Sequence, residues 1–330
     1  MAAAIPSFAD VEAAAKRIAP FAVRTPLLES PELNARLEAR VFIKPETLQR
    51  TGSFKFRGAL NTVLQIPAAQ RPHGVVAFSS GNHAQGVAAA AGLFAIPATI
   101  VMPSDAPQTK IAGTRRLGAE IIFYDRHKDD REAIAREIVE RTGATLIQPF
   151  DNAMVVAGQG TAGLEMIADA KARGVTLDAV LAPCGGGGLV TGLALALSGL
   201  SPATKVIAVE PERFDGMRLS LAAGERRSAS GGTPSLADAL MAPQPGIIPF
   251  AIAKELLSNA VAVRDLDLQR AVSYACQRLK LIVEPGGSAG LAALLAAKFD
   301  MKNKAIAIVL TGGNCDIAMV AQCCAAVADP

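Results

Sequence analysis

Short apolar runs rich in β-branched residues recur along the chain, separated by stretches of helical spacing. The runs at 41–44, 75–78, 98–102, 121–124, 146–148, 179–182, 206–209, 260–263 and 305–310 read as strands. Most are apolar on both faces, as strands buried inside a parallel sheet are. Helices are expected over 83–95, 130–142, 189–200 and 288–298. In the second of these Ile134 and Ile138 share a face, and Gly143 follows as a C-cap. Strand and helix in alternation predict an α/β fold of open, mostly parallel sheets with helices on both faces. In such sheets ligands bind beyond the carboxyl ends of the strands. The greasiest stretch, 84–102, is interrupted by Gln85, Gly86, Gly92 and Pro97. It therefore divides into a helix and a strand and predicts no membrane span. The loop 224–234, rich in Gly, Ser and Arg, is expected to be a mobile surface segment.

Composition narrows the class. A chain of 330 residues makes one large or two modest domains. With 51% apolar and 19% charged residues it is no disordered chain. Lys and Arg total 33 against 30 Asp and Glu, too balanced for a nucleic-acid footprint. The 5 Cys are odd in number and irregularly spaced, which suits reduced thiols better than a disulfide framework. No Cys-x-x-Cys pair occurs and the 3 His are scattered, which argues against structural zinc. The first residues lack the basic and apolar regions of a signal peptide, so a cytoplasmic location is expected.

Four segments carry candidate chemistry. Cys184-Gly185-Gly186-Gly187-Gly188-Leu189 lies between a predicted strand and a predicted helix. It is either a tight turn or a cradle of converging N–H groups for an anion such as phosphate. It has neither the lysine of a nucleotide P-loop nor the spacing of a dinucleotide fold. Lys55 stands between Phe54 and Phe56 in a stretch closed by Gly52 and Gly58. It is either a snorkelling surface residue or a desolvated, nucleophilic amine. Ser79-Ser80-Gly81-Asn82-His83 follows a strand and opens a helix. Its polar groups suit a carboxylate, or simple N-capping. Thr311-Gly312-Gly313-Asn314 follows the last strand and offers a neutral hydroxyl, or an ordinary turn. Cys184 reads as a small buried apolar residue beside the glycine run.

Together, Ser-Phe-Lys-Phe-Arg-Gly, Ser-Ser-Gly-Asn-His, the tetraglycine run and Thr-Gly-Gly-Asn occur in order from Thr51 to Asn314. This constellation resembles the serine/threonine dehydratase (threonine ammonia-lyase) and serine racemase family, fold-type II enzymes that use pyridoxal 5′-phosphate (PLP). The resemblance runs from Thr25-Pro26-Leu27 to Asp316 and takes in Ala157-Gly158-Gln159-Gly160-Thr161 and Val283-Glu284-Pro285-Gly286-Gly287. Phe56 after the lysine and His83 after the asparagine set it apart from cysteine synthases and threonine synthases.

The resemblance implies a tryptophan synthase β-like architecture, with two open sheets and the cofactor in the interdomain cleft. It divides the chain into a large PLP-binding domain, 1–74 with 152–330, and a small substrate-binding domain, 75–151. Lys55 would carry the cofactor and act as catalytic base. Phe54 would flank the cofactor ring and Asn82 would bond its phenolic oxygen. Gly185, Gly186, Gly187, Gly188 and Leu189 would hold its phosphate, and Thr311 would meet the ring nitrogen. A hydroxyl at that nitrogen leaves a weaker electron sink than a carboxylate would, which favours prompt β-elimination. Ser79, Ser80, Asn82 and His83 would surround the substrate carboxylate. Arg131 would reach it as well, or else be a solvated helix arginine. Ser80 also matches the second base of racemases, and Phe150 matches the Pro-Phe-Asp run of threonine dehydratases. At Glu210 the resemblance leaves open a divalent cation, Mg²⁺ rather than Zn²⁺, or a plain surface acid, since Gly216 stands where the family has an acidic ligand. The implied activity is deamination of L-threonine or L-serine. Serine racemisation, or dehydration of another small β-hydroxy amino acid such as 3-hydroxyaspartate or phenylserine, is the alternative. A homodimer is expected, with no C-terminal regulatory domain after Asn314.

Overall fold

In the computed structural model, which describes residues 4–79, 81–106, 108–126 and 128–327, ten strands form two sheets. They are β1 (Leu28–Glu29), β2 (Arg40–Pro45), β3 (Val75–Phe78), β4 (Ala98–Pro103), β5 (Glu120–Tyr124), β6 (Thr145–Leu146), β7 (Ala179–Pro183), β8 (Lys205–Pro211), β9 (Asn259–Val263) and β10 (Ala305–Leu310). The larger sheet runs β1-β2-β10-β7-β8-β9 and the smaller β5-β4-β3-β6. Every pairing is parallel except β1 with β2.

Side-chain alternation explains why the predicted strands are apolar throughout. Ala307 and Val309 of β10 enter the core shared with the helices Ala153–Ala172 and Gly188–Leu200. Ile306, Ile308 and Leu310 enter the opposite core, with the helices Asp265–Tyr274 and Ala289–Leu295. Successive residues point to opposite faces, and both faces are covered. In the smaller sheet Val75 and Ala77 of β3 pack on the helix Asn82–Gly92, while Val76 and Phe78 meet Ala135 and Ile138 of the helix Arg131–Thr142. The smaller sheet also borrows Phe56, Leu60 and Val63 from the helix Lys55–Val63. Packing thus crosses the expected boundary at residue 74.

Three elements depart from the sequence reading. The strand expected at 146–148 pairs only through Thr145–Leu146, because the chain then leaves the sheet toward Pro149. The helix expected over 288–298 is a single 3-10 turn followed by Ala289–Leu295, and it ends before Ala297 with φ 51°. The two-residue edge strand β1 has no apolar run to announce it. Asp130 is the N-cap of Arg131–Thr142, its carboxylate accepting from Glu132 and Ala133 N–H, and Gly143 closes that helix at φ 73°. The most apolar predicted stretch divides into a helix and β4, and no helix among the described residues is long and apolar enough to cross a membrane.

The Ala-Gly-Gln-Gly-Thr motif is a packing device. A Cβ on Gly158 would lie 2.6 Å from Gly58 Cα, and one on Gly160 would lie 2.5 Å from the Gly192 carbonyl. The helix Ala153–Ala172 therefore touches, backbone to backbone, both the helix that begins at Lys55 and the helix that follows the tetraglycine run. Arg57 adds charge to this junction. Fully buried, it pairs with Glu46 at 2.7 Å and Glu165 at 2.7 Å, and Lys44 meets Glu165 at 2.6 Å.

Candidate active site

Loops at the carboxyl ends of both sheets converge on one cleft of about 170 Å³. Its walls include Phe54, Lys55, Ser79, Asn82, His83, Arg131, Gly185 to Leu189 and Thr311. The structure thus brings together every described residue proposed from sequence to touch cofactor or substrate. Ser80 lies outside the described residues.

Lys55 opens its helix because the segment before it is tied to the last strand. Phe54 N–H donates to the Thr311 carbonyl at 3.1 Å, and Gly313 N–H donates to the Gly52 carbonyl at 3.0 Å. The Lys55 amine donates to the Pro149 carbonyl at 2.7 Å and sits 5.2 Å from the centre of the Phe54 ring. Burial pulls its pKa down to about 8, partly offset by the Glu284 charge. The surface reading of this lysine is set aside.

The tetraglycine run leaves β7 and turns into Gly188–Leu200, with Gly187 at φ 97°. A Cβ on Gly186 would lie 2.3 Å from the Phe150 ring, so a side chain there is excluded. Among the described residues, no acceptor is found for the N–H groups of residues 185–189. Unpaired N–H groups at the positive end of a helix are an anion site. Beside an accessible amine and the Thr311 hydroxyl, they fit the phosphate and aldehyde ends of PLP.

On the opposite wall, the Ser79 hydroxyl accepts from Gly81 N–H at 3.1 Å and shapes the turn into the helix Asn82–Gly92. His83 bonds the Ile147 carbonyl at 2.8 Å through Nε2. Burial, with the Lys55 charge, takes its pKa down to about 3, so the ring is neutral. Whatever His83 gives a carboxylate, it is not positive charge. The Arg131 guanidinium lies 5.3 Å over the Phe78 ring and faces the cleft.

Sequence reasoning gave no role to four residues that complete the site. Glu284 is buried, bonded by the Asn82 amide, and its pKa is raised to about 7 by burial. The Asn314 side-chain amide donates to Asn82 Oδ1 at 2.8 Å. Lys110, buried, reaches across the cleft to Asp238 at 2.6 Å. An acid between Val283 and Pro285 was the one available signal for Glu284. Lys110 and Asp238 lie in unremarkable contexts.

Glu210 is a correction. Its carboxylate accepts from Met217 N–H at 2.8 Å and Arg218 N–H at 2.9 Å, capping the helix Gly216–Ala223. Neighbouring Asp215 is ion-paired to Arg218. Among the described residues, no group of three His, Cys, Asp or Glu is placed to hold a metal. The residues present do not fit Mg²⁺. Cys184 is buried, and burial first, then the Glu210 charge, holds its thiol well above the usual range, which leaves it inert.

The family model for pyridoxal-phosphate dependent enzymes matches residues 18–312. The chain belongs to the pyridoxal-phosphate dependent enzymes. Within that family it is 46% identical to an L-threo-3-hydroxyaspartate ammonia-lyase of Pseudomonas sp, over 94% of this chain and 96% of that one. It is 43% identical to a serine racemase of Schizosaccharomyces pombe, over 95% of each. A solved threonine deaminase, that of T.th., superposes with a TM-score of 0.88 at 45% identity, covering 94% of this chain and 99% of that one. The architecture is therefore that of the fold-type II PLP enzymes, the ammonia-lyases and racemases among them.

Proposed function

We propose that the protein is an ammonia-lyase that eliminates water from a small β-hydroxy amino acid, the resulting enamine taking up water again to give a 2-oxo acid and ammonia. The observation that carries this is Lys55, an amine with a pKa of about 8 in the same cleft as a cradle of unpaired N–H groups. When bound, PLP draws electrons from the α-carbon, which acidifies the α-proton and lets the β-hydroxyl leave. The chain's own residues position and move protons. Lys55 would hold the cofactor through its amine and, once that amine is free, would take the α-proton of the substrate. The N–H groups of Gly185, Gly186, Gly187, Gly188 and Leu189 would hold the phosphate, and Phe54 would flank the ring. Thr311 would meet the ring nitrogen and Asn82 the phenolic oxygen. Ser79, Ser80 and the start of the helix Asn82–Gly92 take the substrate carboxylate. Residues 75–151 act as the substrate-binding domain, because the smaller sheet is built entirely within them.

L-Threonine and L-serine are the leading substrates, in keeping with the threonine deaminase likeness. One observation favours 3-hydroxyaspartate as a second choice. Arg131 faces the cleft stacked on Phe78, and among the described residues no carboxylate is paired with it. A second substrate carboxylate would find a cation there, and one relative is an ammonia-lyase for that amino acid. The test is 2-oxo acid release by PLP-loaded protein from L-threonine, L-serine, L-threo-3-hydroxyaspartate and phenylserine, with D-serine measured in parallel. Rapid 2-oxobutyrate from L-threonine supports the leading substrates. Oxaloacetate formation that collapses in Arg131→Ala supports the second choice. D-Serine alone, lost in Ser80→Ala, would replace the lyase with a racemase.

A further inference from the structure

Asn82 does not stand alone in the cleft. One of its amide N–H groups donates to Glu284 Oε1, and its Oδ1 accepts from Asn314 Nδ2 at 2.8 Å. Asn314 Nδ2 also donates to the Thr51 carbonyl at 2.7 Å. A backbone carbonyl only accepts, so it fixes which end of the Asn314 amide faces it. That end then turns the oxygen of Asn82 toward Asn314 and its nitrogen toward Glu284. Two of the four bonding directions of the Asn82 amide are spoken for. As donor a single N–H is left, beside the second lone pair of Oδ1, on a side chain that lines the cleft.

The relay has room made for it. A Cβ on Gly312 would lie 2.6 Å from Glu284 Oε1 and 3.0 Å from Asn82 Nδ2. One on Gly52 would lie 2.7 Å from Asn314 Oδ1. Glu284 is itself anchored through its backbone, donating to the Gly312 carbonyl at 3.0 Å and accepting from Ser288 N–H at 3.1 Å. Its other carboxylate oxygen, Oε2, is buried without a hydrogen-bond partner among the described residues. The carboxylate faces the positive charges of Lys110 and Lys55, and the Asp238 carboxylate opposes it from the far side of Lys110.

We propose that Glu284 and Asn314 are positioning residues that lock the Asn82 amide in the one orientation that offers an N–H to the phenolic oxygen of PLP. The proposal rests on the contact between Asn82 and the cofactor put forward above. Glu284 acts through Asn82, as outer partners act on metal-ligating side chains. Removing the acceptor frees the amide to rotate, and the cofactor then meets an oxygen as often as an N–H. A glutamine at 284 keeps a carbonyl oxygen for Asn82 and restores the lock.

The test is a double-mutant cycle read by PLP affinity and by the position of the bound-cofactor absorbance band, with circular dichroism reporting the fold. Glu284→Ala and Asn314→Ala should each weaken PLP binding by about tenfold, the scale of one hydrogen bond. Glu284→Gln should stay near the parent in both readouts. In an Asn82→Ala background, Glu284→Ala should change the affinity less than about twofold, because the group it orients is gone. Should Glu284→Ala fail to fold, the cycle of Asn314 with Asn82 decides alone. Equal losses in both backgrounds would show a structural role and overturn the proposal. If Asn82→Ala itself binds PLP as the parent does, the Asn82 contact is wrong and the proposal falls with it, while turnover by Lys55 stands untouched.

Discussion

At position 55 the chemistry needs an amine, and an ordinary lysine at neutral pH is an ammonium. Burial supplies the difference, bringing Lys55 to about 8. The reactive fraction is the unprotonated one, so a lowered pKa raises it at every pH below 8. The rate of PLP capture by the cofactor-free protein should climb about tenfold per pH unit below 8 and level off above it. A rise that continues to pH 10 would mean an unperturbed lysine. Lys55, the tetraglycine run and Thr311 are legible in the sequence only as a set: each alone also reads as a surface residue or a turn, and it is the four contiguous motifs in order that point to one chemistry. Glu284 and Asn314 are not. The Asn82 amide they hold is 202 and 232 positions away, and neither is more than a polar residue until the chain has folded. Glu210 misled for the reverse reason. An acid ending a strand looks like a ligand until the helix it caps is seen.

Among elements, the helices around the site hold their places by contacts that admit no substitution. Gly186→Ala drives a methyl into the Phe150 ring at 2.3 Å. It should cost about 1–3 kcal/mol, seen as weaker PLP binding and a lower melting temperature. Trimming the partner with Phe150→Ala should recover part of the binding; no recovery would place the strain elsewhere. Arg57→Leu leaves Glu46 buried without its partner and should cost about 3–5 kcal/mol in denaturant unfolding. A loss below about 1 kcal/mol would show that the Arg57 cluster is not what fastens the Lys55 helix. Strand positions were readable from apolar runs because both faces of each strand are covered. The short strands β1 and β6 were missed or overdrawn because two residues carry no period.

The whole molecule is two sheets joined across a cleft, and side chains as well as backbone make the join. Lys110, from the helix Gln108–Arg116 beside the smaller sheet, bonds Asp238 on the far side. Asp238 is 42% exposed, so the pair contributes little to global stability, but its place is where the cleft opens. Asp238→Ala should speed hydrogen exchange in 108–116 several-fold while leaving the core strand β10 unchanged. Uniform exchange across both sheets would show that the pair does not hold the cleft. Everything in the cleft depends on one lysine, Lys55, placed beside the glycine cradle. The most direct measurement is to reduce the PLP-loaded protein with borohydride, digest it, and locate the phosphopyridoxyl group by mass spectrometry. The label should fall on Lys55 alone and be absent from Lys55→Ala. A label on Lys44, Lys110 or scattered surface lysines would contradict the active site drawn here.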